Sequence, residues 1–307
     1  MAHPSYQNFV ETTLQHFKNW QSNNDLTQIA QNDRPKVLIE QWSESLLSTF
    51  SGSLLVENYD VYQILMDYWA NTMQDDVYLI AGEGWALNGK LLREIIVKKD
   101  KDGKKQKTEP HDLLINKIKY KAELIPPHLI AKRFFADDVA NLNRLQSELG
   151  NASQALETFL EEHSTENSLL ANAFDDKDKI TVKSLKSAEK QADNDEKQAI
   201  KTALKLFENE KKAKDALKVA TEKLDLAIFT QYGKLSIDDI KLLVVQDKWL
   251  ANLERELTAQ MERAIQTLIS RLHTLEQRYH SPLSALTDEV VHWENKVNQH
   301  LKTMGLI

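Results

Sequence analysis

"VYLIAGEGW", Val77 to Trp85, is the stretch on which the fold turns. Read as a short apolar strand running into Gly82-Glu83-Gly84, it opens a cofactor-binding βα unit and an α/β chain. Such a loop needs close backbone approach after its second glycine, and here bulky Trp85 follows Gly84. It also needs a series of βαβ repeats behind it, and the chain beyond soon becomes helical. The two glycines therefore read as a turn, although "VYLI" itself keeps the look of a strand. "IKYKAELI" is the other strand candidate. A mainly α, elongated protein with long coiled-coil-like helices and a small β element in its N-terminal half is the expected fold.

Working outward from that stretch, apolar residues recur at helical spacing almost everywhere. Phe9, Val10, Leu14, Phe17 and Trp20 mark a first helix from His3 to Trp20, and Pro35 opens "KVLIEQWSESLLSTF". "YDVYQILMDYWANTM" carries Tyr59, Tyr62, Leu65 or Met66, and Trp69 on one side, and Pro127 starts a further helix. Beyond it, Leu142, Leu145, Leu149, Leu156 and Leu160 have the spacing of a packed helical hairpin, with Gly150-Asn151 as a possible break. Asp175 to Glu222 reads either as helix with a narrow stripe of Leu204, Phe207, Leu217, Ala220 and Leu224 or as a partly mobile segment, and its Ala, Lys, Glu and Leu, all good helix formers, favour helix.

A long helix runs from about Asp247 to Arg278. Its seam is Leu250, Leu253, Leu257, Met261, Ala264, Leu268, Leu272 and Leu275. Ser281-Pro282 breaks it, and a last helix ending at Gly305 bears Leu286, Val290, Trp293, Val297, Leu301 and Met304 on one stripe. Three segments follow: residues 1–127 with the β element, 128–235 as a charged helical arm, and 236–307 as a long helix plus a partner-binding helix.

Composition narrows the functions. The 307 residues are 41% apolar and 28% charged, with eight Gly, six Pro and no Cys. Thiolate catalysis, disulfides and Cys-ligated zinc are thereby excluded. No apolar run is long enough to span a membrane, and no secretory signal opens the chain, so a cytoplasmic location is expected. The net charge of −7 disfavours nucleic-acid binding by the whole surface. Between Ile95 and Arg133, however, eleven basic residues face five acidic ones. Lys98, Lys99, Lys104, Lys105 and Lys107 there are candidates for contacts to DNA backbone, with a hydrated hairpin tip as the plainer reading.

Catalytic signatures are missing. There is no H-E-x-x-H, no Walker loop and no G-x-S-x-G, so no metal or nucleophile site is expected. Asp75-Asp76 reads as a turn cap rather than a cation site. Trp69, Trp249 and Trp293 read as core or interface anchors.

Five blocks nevertheless carry a resemblance. "YDVYQILMDYWANTMQDDVYLIAGEGW" (Tyr59 to Trp85) and "LIPPHLIAKRFFADD" (Leu124 to Asp138) resemble blocks of the modification (methylase) subunit of type I restriction-modification systems. "SLLANAFDDKDKIT", "LVVQDKWLANLE" and "RYHSPLSALTDEVVHWENKVNQHLKTMG" are similar to successive blocks of that subunit's C-terminal region. The resemblance implies adenine-N6 methylation of DNA from S-adenosylmethionine. It also implies work beside a DNA-specificity subunit, a second methylase subunit and, in some systems, a restriction subunit. The N-P-P-F signature that holds a flipped adenine is absent, and the one proline pair reads Ile125-Pro126-Pro127-His128.

The resemblance thus covers only the part that follows the catalytic domain. No cofactor is expected in this chain, S-adenosylmethionine belonging to the full subunit, and the chain is expected to be inactive alone. Docking of the specificity subunit falls to the last helix, with Leu286, Val290, Trp293, Val297 and Leu301 as anchors. Two other readings stay open: a self-associating coiled-coil protein, and a complete methyltransferase with an unrecognised site.

Overall fold

A computed structural model describes residues 4–96, 109–163, 169–174, 179–280 and 283–307. Its helices begin with α1 (Pro4–Asn23), α2 (Pro35–Thr49), α3 (Asn58–Tyr68), α4 (Gln74–Glu83) and α5 (Trp85–Lys90). Three short strands follow, β1 (Leu92–Glu94), β2 (Leu113–Ile115) and β3 (Ile118–Ala122), then α6 (Pro127–Phe134), α7 (Ala136–His163) and α8 (Val182–Ala188). The chain continues with α9 (Asn194–Lys234), α10 (Ile237–Lys241), α11 (Ala251–Arg278) and α12 (Leu283–Thr303). Five-residue and nine-residue π-helical segments, Trp69–Met73 and Leu242–Leu250, continue α3 into α4 and α10 into α11. The protein is mainly α, and its sheet is small.

Two expectations are corrected. "VYLI" is not a strand but the middle of α4, with Val77 and Ile80 fully buried. A run of apolar residues four long satisfies either period, and here tertiary packing chose the helical one. Gly82 ends up inside α4, and Gly84, at φ +84, turns the chain before α5. Only Gly adopts that backbone without strain, which explains the second glycine. Trp85 then turns inward, donating its indole N–H to the Ile29 carbonyl at 3.0 Å. Gly150-Asn151 makes no break either, since α7 runs straight through it. The Ser281-Pro282 step and residues 97–107 of the basic loop lie outside the described residues.

Two compact units divide the chain. The first comprises residues 1–28, 34–74 and 250–307. Its core is aromatic: Phe17 stacks on Trp20, Trp20 donates its indole N–H to the Trp42 carbonyl at 3.0 Å, and Trp42 meets Trp69 edge-on. α3 packs on α2, and α11 lies on α3 and α1. Gln260 of α11 bonds Asp60 of α3 at 3.0 Å.

The second unit holds residues 29–33 and 75–249. Its strands are antiparallel in the order β1-β3-β2. The β2–β3 turn is Asn116-Lys117, both at positive φ, as a two-residue hairpin of primed type requires. α7 pairs along α9, and the leucine stripe of α7 and that of α9 face inward. One end of the pair has its own apolar core of Leu170, Ala173, Leu185, Ala199, Ile200 and Ala203, covered by Phe159 and Phe207.

The helix starts follow local chemistry. Thr181, Asp193 and Ser236 each form a capping box with the residue three further on. Arg133 clamps Asp247 through two hydrogen bonds of 2.6 and 2.7 Å, joining α6 to the π segment. α5 rests on α10 at Gly89, where an added Cβ would lie 2.5 Å from the buried Ile240 side chain. Gly89→Ala is therefore expected to cost about 1–3 kcal/mol by overpacking. Pairing it with Ile240→Ala should return part of that loss in urea unfolding. Additive losses would show that the contact is not the cause.

Candidate partner-docking surface

Two helices decide what surface the first unit offers. Along α11 the seam begins covered, with Leu253, Leu257 and Met261 all buried. Further on, the same seam is bare: Leu268, Leu272 and Leu275 are 38%, 56% and 48% exposed. The change occurs within one uninterrupted helix, so it reflects lack of a neighbour and not a change of period. An open groove of about 680 Å³ runs beside the bare part, lined by Gln266, Thr267, Ser270, Arg271 and Thr274 with Leu275.

α12 carries the second bare stripe. None of its residues is buried. Leu286, Val290, Trp293 and Val297 are all exposed, Trp293 by 56%, and Leu301 is half-buried. Lys296 places its ammonium 4.8 Å from the centre of the Trp293 ring, and His292 meets the ring edge-on. The five residues chosen from the sequence thus share one helix, and that helix leaves its apolar side uncovered. Contiguous apolar surface of this kind is uncommon on a protein that works alone.

The remaining candidates fare differently. Lys98, Lys99, Lys104, Lys105 and Lys107 lie outside the described residues. Of the basic residues that follow, Lys121 pairs with Glu109 and Arg133 with Asp247. Lys117, Lys119 and Lys132 carry what positive charge remains there. A cleft of about 440 Å³ beside α7 and α9 combines Leu156, Leu160, Phe174 and Ile180 with Glu157, Glu161 and Glu210. Among the described residues no group of His, Asp and Glu is arranged to hold a metal ion. No described helix is long and apolar enough to cross a membrane.

Sequence reasoning missed one polar centre altogether. Asp76, read as a turn cap, is buried on α4 and grips Lys248, whose Nζ lies 2.8 and 2.7 Å from its two oxygens. Lys248 also donates to the Leu124 carbonyl at 2.7 Å, and Trp249 donates its indole N–H to Asp76 at 2.8 Å. The π segment makes this possible: its wider turn brings Leu243, Val244, Val245, Lys248 and Trp249 inward within a few residues. The pair acts as a staple, tying α4, the Leu124 carbonyl and the π segment together. An isolated DKW within an apolar run was the available signal.

Burial pushes the Asp76 carboxyl above its ordinary value, and Lys248 with the two hydrogen bonds offsets only part of that. The sign follows directly. Between about pH 4 and the raised value, the folded chain holds more proton at Asp76 than the unfolded chain. The contribution of Asp76 to stability is therefore fullest at low pH and falls as pH rises through that window. The stability difference between the parent chain and Asp76→Asn, followed by urea unfolding across that range, should shrink with rising pH. A flat difference would mean that Asp76 titrates alike in both states.

Compared with known protein families, with curated proteins and with solved structures, the chain finds no match.

Proposed function

We propose that this chain is the C-terminal helical region of a type I DNA adenine-N6 methylase subunit, and that it docks the DNA-specificity subunit. The observation that carries the reading is the pair of bare apolar stripes, from Leu268 to Leu275 on α11 and from Leu286 to Val297 on α12. The five blocks of resemblance support it by naming a family in which such a subunit exists.

The physics of docking is that of one helix laid on others. Together the stripes keep leucine, valine and tryptophan in water, and a partner helix with a matching stripe removes them from it. Trp293 is the expected centre of the contact, because a large ring in a dry pocket contributes more than the aliphatic residues around it. In this reading methyl transfer belongs to a catalytic domain with its own S-adenosylmethionine site. A second methylase subunit, a restriction subunit and DNA join in the assembled complex. Lys98 to Lys107 are proposed to follow the DNA backbone there.

Sedimentation of the chain with a type I specificity subunit tests the proposal. A co-sedimenting complex is expected, lost on Val290→Asp. Separate sedimentation of the two proteins at about 10 μM would reject it, since a dedicated interface of standard size binds well below that. Calorimetry with S-adenosylmethionine separates the reading from that of a complete methyltransferase: one-to-one binding by this chain would favour the latter.

A further inference from the structure

The charges beside the α12 stripe specify a second occupant for it. Leu286, Val290, Trp293 and Val297 follow one another by steps of four, three and four, the spacing of a coiled-coil seam. Glu289 and Lys296 stand just before the two valines, and Glu294 stands just after Trp293. These are the flanking positions that select a partner's direction. In a parallel pair of α12 helices, Glu289 of each would face Glu294 of the other, and like charges would repel. In an antiparallel pair, Glu289 of each faces Lys296 of the other, twice by symmetry. Glu294 then faces the neutral Thr287.

The seam agrees with that direction. Antiparallel pairing about the same centre sets Trp293 against Val290 and Val297 against Leu286, so the largest side chain meets a small one in each central layer. Lys296, already held over the Trp293 ring, needs only to extend past it to reach the opposing glutamate. The contact is isologous and closes as a twofold dimer.

We infer that a second copy of this chain covers α12 through an antiparallel α12–α12 pair, closed by two Glu289–Lys296 contacts. This rests on the docking reading only in using the same face. A dimer of this kind shields the stripe until a specificity subunit displaces it, so the two associations exclude each other.

Sedimentation equilibrium of the full chain, from low concentration up to about 100 μM, is the test. The parent chain is expected to dimerise reversibly. Glu289→Lys alone and Lys296→Glu alone should each weaken the dimer about tenfold, by setting like charges face to face twice. An equimolar mixture of the two variants should recover the parent affinity, because each mixed pair restores both contacts. The double exchange E289K/K296E should recover it as well. A chain that stays monomeric throughout, or a dimer strengthened by Glu289→Lys as a parallel pair would be, overturns the inference. A dimer indifferent to all three variants does so too. Binding of a specificity subunit is measured separately, so a monomeric chain that still binds it leaves the docking proposal standing. A charge-sensitive dimer that ignores the subunit rejects docking alone.

Discussion

Urea unfolding of Lys248→Met is expected to show a loss of about 3–5 kcal/mol relative to the parent chain. The substitution keeps the volume and removes the ammonium. Asp76 is then left in the interior with one hydrogen bond from Trp249, and the Leu124 carbonyl loses its donor. A buried carboxylate without its counter-charge must either stay ionised at high cost or take up a proton. The double variant Asp76→Leu with Lys248→Met removes both charges together. It should lose clearly less than the two single losses added, because neither partner remains uncompensated. Full additivity would show that the pair is not coupled. The staple links α4, the segment after β3 and the π segment, so its loss should be felt throughout the second unit.

Trp293→Ala is expected to do the opposite: little to the fold and much to association. Removing a hot-spot tryptophan costs about 2 kcal/mol or more, so capture of a specificity subunit should weaken at least about thirtyfold. The melting temperature should stay within about 1–2 °C, since a surface substitution away from packed features changes stability by only a few tenths of a kcal/mol. The reason is on the helix itself, where no residue of α12 is buried. A fall of many degrees would mean that the stripe is covered within the chain. Unchanged capture with an unchanged melting point would remove Trp293 from the interface.

Much of the helical layout was legible from residue spacing. The helix opened by Pro35, the one opened by Pro127 and the stop at Gly305 all follow from short-range rules. The apolar stripe of α12 was legible for the same reason, as five apolar residues on one side of a helix in polar surroundings. "VYLI" was not, because four apolar residues next to two glycines fit a strand and a buried helix equally. The Asp76–Lys248 pair was not, because nothing in the neighbourhood of Asp76 points to a lysine 172 positions away.

Periodicity and end-capping, which act over a few residues, were enough to make this mainly a chain of helices. Which apolar seams find cover is a different matter, since burial depends on segments far apart in the chain meeting in space. The α11 seam looks uniform from Leu253 to Leu275, yet it is buried as far as Met261 and bare beyond Leu268. Distant packing alone draws that line, and with it the apolar surface left in water.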